Sequence, residues 1–219
     1  MVRALPLPPP RPVLHDLRTV ETARSGIARL PHLRMRVWID HRPLAGVTPE
    51  MLLWWFRHIG EDIDYAGERM SAYLVWHPLD HIRWELARPA PGGGADEGAR
   101  YRIVEAFGRD ERFYVDSVER VEKLDVTGIR LVRRVAGIKV FQLEHTWSFG
   151  KDGTHYVSVM DLGARNRAAL PLNAYLASHV FPPAMARAWV RHNVEEVGVL
   201  EQLVPEALRQ RPDAEVGAP

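Results

Sequence analysis

His192 and Glu196 stand four residues apart in a stretch whose apolar positions, Met185, Trp189, Leu200 and Leu203, recur at helical spacing on the same face. A helix would project both side chains together, about 5–6 Å apart at Cβ, close enough to share one metal ion. Glu105 lies in Tyr101-Arg102-Ile103-Val104-Glu105-Ala106-Phe107, where strand alternation puts it on one face with Tyr101, Ile103 and Phe107. His145 alternates in the same way with Phe141, Leu143, Trp147 and Phe149. The segment Trp76-His77-Pro78-Leu79-Asp80-His81 adds two histidines around a proline, either of which can reach an ion, and Asp80, which could orient a ligating ring. Imidazole and carboxylate donors of this kind suit zinc and do not exclude manganese, iron or cobalt.

Each piece has an ordinary explanation. An i, i+4 His–Glu pair is commonly a helical ion pair, and a lone inward histidine is commonly a hydrogen-bonded core residue. A bare buried carboxylate, however, costs several kcal/mol. Inward-facing ionisable groups on three separate elements are therefore harder to explain by chance than one would be.

Composition narrows the chemistry further. The 219 residues contain no cysteine, which excludes disulfides, thiolate nucleophiles and Cys-based zinc fingers and leaves His, Asp and Glu as metal ligands. A formal net charge of +1, with arginines scattered among acids, argues against a nucleic-acid partner. No segment has the ~20 apolar residues of a membrane span, and no apolar stretch precedes the early prolines as in a secretory signal, so a cytoplasmic location without a membrane partner is expected. The G-x-S-x-G elbow, a phosphate-cradling glycine loop and H-E-x-x-H are all missing.

These side chains need a scaffold. Residues 33–39 alternate as a half-buried strand, and Thr48-Pro49-Glu50 opens a helix through MLLWWFRHI. After Tyr65-Ala66-Gly67 the chain reads as successive strands: SAYLVWH, HIRWELA, YRIVEAF, RFYVDSVERVEKLD, GIRLVRRV, IKVFQLEHTWSF and THYVSVMDLG. A loop at 164–174 leads to a long helix from Pro182-Pro183 to about Leu208. The expectation is an α+β fold, a curved antiparallel sheet wrapped around a C-terminal helix, which is a helix-grip with a pocket between the layers. One domain is expected over 13–209, with a disordered, extended Pro-rich segment at 1–12 and a disordered tail at 210–219 outside it.

Taken in order, WHPLDH, the glutamate of IVEAFG, LEH and RHNVEEVG resemble the 2,4-diacetylphloroglucinol hydrolase and phloretin hydrolase family over roughly residues 45–205. The resemblance implies a Bet v 1 or START-like helix-grip and zinc-dependent hydrolysis of the carbon–carbon bond between an acyl group and a phenolic ring. Carried onto this chain, it implies one Zn2+ held by His81, Glu105, His192 and Glu196, with His81 favoured over His77 because Tyr73 then matches a substrate-binding tyrosine. It further implies His145 as the proton-transfer group, Tyr73, with Tyr65 or Tyr156, as partners of phenolic hydroxyls, and Trp76, Trp147 and Phe107 as apolar walls. His77 would stand beside the substrate. The expected partner is a small phenolic ketone. Because proline-rich chain dominates ahead of residue 30, the dimerising helical segment of those enzymes is expected to be reduced, with a homodimer left open. Two other readings compete: a non-enzymatic helix-grip that binds a hydrophobic ligand, and a metal-free cyclase-like enzyme.

Overall fold

Helix α4 (Pro183–Arg209) is the axis of the molecule. Pro182 and Pro183 start it, since a proline in the first turn gives up an N–H that has no partner there. Residues His192 to Leu200 are all buried, so the middle of the helix is enclosed all round. A helix so enclosed is normally apolar throughout, and each polar group it carries must find a partner inside.

The computed structural model describes residues 6–211. Along one side of α4 runs an eight-stranded antiparallel sheet in the order β1-β2-β10-β9-β8-β7-β6-β5, while short helices and the N-terminal segment cover the rest of it. Its strands are β1 (Arg24–Leu30), β2 (Arg34–Asp40), β5 (His81–Arg88), β6 (Arg100–Ala106), β7 (Tyr114–Asp125), β8 (Gly128–Val135), β9 (Ile138–Gly150) and β10 (Gly153–Leu162). From β5 to β10 neighbours in sequence pair in space, the meander that the turn spacing predicts. Helix α1 (Pro49–His58), N-capped by Thr48, and the small hairpin β3 (Asp62–Tyr65) and β4 (Glu68–Ser71) lie between β2 and β5 in sequence. Two apolar clusters result: one joins α1 to the C-terminal half of α4, the other joins β2 and β10 to its N-terminal half. The architecture is the expected α+β helix-grip. No helix among the described residues is long and apolar enough to cross a membrane.

Several local readings change. SAYLVWH, read as a strand, contains the helix α2 (Ala72–Trp76), whose buried residues Ala72, Tyr73, Val75 and Trp76 follow helical spacing. β1 and the short helix α3 (Leu170–Tyr175) form where proline-rich chain and loop were expected. Residues 6–12 are extended, but they belong to the fold: Arg109 donates to the Pro8 carbonyl (2.7 Å) and Arg11 to that of His81 (2.8 Å). Of the expected tail, Gln210 donates to Asp64 O (3.0 Å), and residues 212–219 lie outside the described residues.

Gly128, at the β7–β8 turn, has φ 150°, and a Cβ there would stand 2.2 Å from the His145 carbonyl oxygen. Both the backbone conformation and the closeness of β9 exclude a side chain. Gly128→Ala is expected to destabilise the fold by about 2 kcal/mol or more, lowering Tm by roughly 4–8 °C for a domain of this size in calorimetry. An unchanged Tm would contradict this close approach.

Candidate metal centre and cavity

His81 opens β5 and pairs across the strands with Glu105 of β6, so two potential ligands are neighbours by register. A β-bulge directly follows His81, and such bulges re-aim side chains. His192 and Glu196 descend from α4 onto the same point. His81 Nε2 lies 3.4 Å from Glu105 Oε1 and 3.5 Å from Glu196 Oε2. His192 Nε2 lies 3.8 Å from Glu105 Oε2 and 3.7 Å from Glu196 Oε2. For comparison, ligand atoms bound tetrahedrally 2.0–2.1 Å from zinc are about 3.3 Å apart.

The other nitrogen of each ring decides what these atoms can do. His81 Nδ1 donates to the Tyr73 carbonyl (2.6 Å), and a carbonyl can only accept. That leaves a lone pair on His81 Nε2, which is buried and makes no hydrogen bond among the described residues. His192 Nδ1 donates to Asp80 Oδ2 (3.0 Å). Asp80 is itself held by the backbone N–H groups of Gly108 (2.8 Å) and Arg109 (3.2 Å), in a turn where both residues have positive φ. Outer partners of this sort orient metal-binding imidazoles. The carboxylates are braced too: Tyr73 donates its hydroxyl to Glu105 while its ring stacks on His81 at 4.0 Å, and Asn193 Nδ2 donates to Glu196 Oε1 (2.5 Å). The orphaned nitrogen of His81, the pre-oriented imidazole of His192 and the braced carboxylate of Glu105 lie close enough together to hold a divalent ion such as zinc, and Glu196 faces both imidazoles.

His77 is placed differently. Its Nδ1 accepts from Asp80 N (3.1 Å) and its Nε2 faces Glu195 Oε2 (3.1 Å), so both nitrogens are engaged. It stacks on His192 at 4.5 Å and is not among the residues lining the cavity, so it braces the cluster from behind instead of meeting a substrate. His77, Asp80 and His192 also lie close enough to hold an ion, but the first two are already spent on the protein's own hydrogen bonds.

Charge is compressed here. Burial opposes a charge on His192, but Glu196, the Asp80 hydrogen bond and Glu105 outweigh it and raise its pKa to about 9. Burial holds His81 down at about 4, despite Glu196. Glu105 is pushed up by burial, while Glu196, although buried, is drawn down chiefly by His192.

The cluster opens into a cavity of about 450 Å³ between α4 and the sheet, walled by Tyr73, Trp76, Trp84, Phe107, Leu143 and Trp189 among others. His145 lines it, and burial keeps its pKa near 4. Its Nδ1 shares the Ser158 hydroxyl (2.9 Å) with His41 Nε2 (3.0 Å), so one proton on Ser158 couples the tautomers of the two rings. Trp147, expected on the wall, stands behind Phe56, stacked at 5.5 Å, and is not among the lining residues. Tyr65 is tied to Leu14 and Pro12, and Tyr156 packs on Trp147; neither lines the cavity. Sequence reasoning missed His41, Ser158, Ser117 and Glu119. The last two alternate with Val115 and Val121, a period that could have revealed them.

In comparisons with known proteins, no family model and no curated protein matches the chain. Solved structures to which it is similar include a protein of unknown function from Staphylococcus aureus, at 14% identity and TM-score 0.46 over 81% of this chain and 97% of the other. Ara h 8.0201 aligns at 9% identity and TM-score 0.40 over 77% and 98%. The di-domain ARO/CYC protein BexL of the BE-7585A biosynthetic pathway aligns at 12% and 0.42 over 84% and 52%. At this level the likeness decides nothing about the chemistry of the cluster.

An ion bound here must displace the His192 proton, whose pKa is about 9. Zinc affinity is therefore expected to climb roughly tenfold per pH unit between about pH 7 and 9 and to level off above. Titration calorimetry in buffers of different ionisation enthalpy should register about one proton released per ion or slightly more near neutral pH. Pure uptake without proton release would contradict the charge balance.

Proposed function

We propose that this chain is a metal-dependent hydrolase, with one zinc ion held by His81, Glu105, His192 and Glu196, that cleaves the carbon–carbon bond between an acyl group and a phenolic ring. The observation that carries the proposal is the convergence of two imidazole Nε2 atoms, each oriented through its Nδ1, on two braced carboxylates in a buried cavity wall. The resemblance of these segments to the diacetylphloroglucinol and phloretin hydrolases points the same way. Bound there, an ion would polarise a carbonyl oxygen or lower the pKa of water, effects strengthened by an apolar surround.

In the overall reaction water's hydroxide joins the acyl carbon, the ring–acyl bond breaks, and the ring carbon takes a proton; a carboxylic acid and the free phenol leave. The proton has to be moved. His145, neutral because of its burial, can accept it from the water and return it to the ring carbon. Ser158 holds that ring in place from behind. Tyr73 keeps Glu105 and His81 aligned and offers its face to the cavity, and Trp76 and Phe107 exclude bulk water.

A second reading has its own support. With a proton on His192, the cluster is partly charge-balanced without any ion, so the same cavity could serve a metal-free cyclase or a hydrophobic-ligand carrier. Metal content separates the two. Purified protein is expected to hold near one zinc per chain, and Glu196→Gln, which keeps the volume, is expected to lose most of it together with release of carboxylic acid from acylated polyphenols. His145→Gln should keep the zinc and lose roughly 10²–10⁴-fold in kcat. Metal-free protein that still binds aromatic ligands would establish the second reading.

A further inference from the structure

Which nitrogen of His145 carries the proton decides whether that ring can act as a base in the cavity. Its Nδ1 is turned to the Ser158 hydroxyl (2.9 Å), so Nε2 is the nitrogen left for the cavity that His145 lines. In a neutral ring Nε2 is basic only if the single proton sits on Nδ1. Ser158 is shared with His41 Nε2 (3.0 Å), and its one hydroxyl proton can be donated to only one of the two rings. Ser158 is fully buried and both histidines are 3% exposed, so bulk water does not decide the direction.

The direction is set from the far end, at Glu196. A carboxylate can only accept, so Asn193 must present its Nδ2 to Glu196 Oε1 (2.5 Å), which leaves Asn193 Oδ1 to face elsewhere. This oxygen is buried with no bond to any other group among the described residues, and its side chain acts on His41 as a hydrogen-bonding neighbour. An acceptor orphaned in the interior is costly, and the ring N–H of His41 is the donor beside it. Since His41 Nε2 is engaged by Ser158, that N–H is on Nδ1. His41 Nε2 then holds a lone pair and accepts the Ser158 proton, the Ser158 oxygen accepts from His145 Nδ1–H, and His145 Nε2 is left basic. The opposite direction fails at Asn193. His41 would turn a lone pair toward Oδ1, and flipping the amide to relieve this would set Oδ1 against the Glu196 carboxylate.

We propose that His41 and Ser158 are positioning residues that hold His145 as its Nδ1–H tautomer, in a direction imposed by Glu196 through Asn193. Glu196 thus has two tasks: Oε2 faces the imidazoles of His81 and His192, while Oε1 fixes the proton on a third histidine four hydrogen bonds away. The use of this tautomer in catalysis rests on the hydrolase reading, but the tautomer itself does not.

The test is long-range 1H–15N correlation NMR of the histidine rings at neutral pH, on the unaltered protein, Ser158→Ala and His41→Phe, with zinc content measured alongside and His145→Gln used to identify the His145 signals. In the unaltered protein both His41 and His145 should carry their proton on Nδ1. Either variant should give His145 a substantial Nε2–H population, while His58, whose Nδ1 bonds the Trp54 carbonyl outside this chain, keeps its signals and shows that the variants are folded. With acylated polyphenols both variants should lose about tenfold or more in kcat with KM little changed. His145 found as Nε2–H in the unaltered protein, or an Nδ1–H form that survives both substitutions, would overturn the proposal, as would an unchanged kcat despite a shifted tautomer. The predicted tautomers in protein that holds no zinc and releases no acid would instead overturn the hydrolase reading and leave the chain of hydrogen bonds standing.

Discussion

Desolvation governs this molecule. Two carboxylates and two imidazoles share a few ångströms of interior, against a helix whose middle is buried all round, and none of them could stay there unpaired. Asp80 does most to make the arrangement tolerable. It accepts a hydrogen bond from His192 Nδ1–H on one side and from two backbone N–H groups on the other, so its charge is met where it is buried. Burial raises its pKa, but the bonded His192 and the nearby His77 more than reverse that and hold it below the ordinary carboxylate range.

Much of the remaining chain can be understood as support for that one contact. The turn at Gly108 and Arg109 aims its amides at Asp80, and the Arg109 side chain reaches on to the carbonyls of Leu79 and Pro8. The extended N-terminal segment is drawn in through Arg11, which bonds the carbonyls of Pro78 and His81. Helix α2 exists to turn Tyr73 so that its carbonyl meets His81 and its ring covers it. Remote pieces of chain thus converge on the orientation of two imidazole rings, the kind of bracing a functional constellation needs to hold its geometry.

Part of this was legible in the sequence. Helical spacing placed His192 and Glu196 together, and strand alternation turned Glu105 and His145 inward, because a single period governs each element and burial enforces it. The choice between His77 and His81 was not legible: it depends on which ring nitrogen meets which carbonyl, a tertiary fact set by α2 and the β5 bulge. Trp147 shows the limit of the periodic argument. It shares a strand face with His145, yet Phe56 of α1 stands in front of it, and no pattern within β9 announces that. The docking of residues 6–12 depends on Arg11 and Arg109 finding carbonyls far along the chain, which composition alone represents only as proline-rich coil.

The most direct test of the central claim is anomalous diffraction at the zinc edge from crystals of the zinc-loaded protein. The account predicts one peak about 2.0–2.2 Å from His81 Nε2, His192 Nε2 and oxygens of Glu105 and Glu196, with His77 uncoordinated. A peak seated on His77 and Asp80, or none within reach of His81, would contradict it.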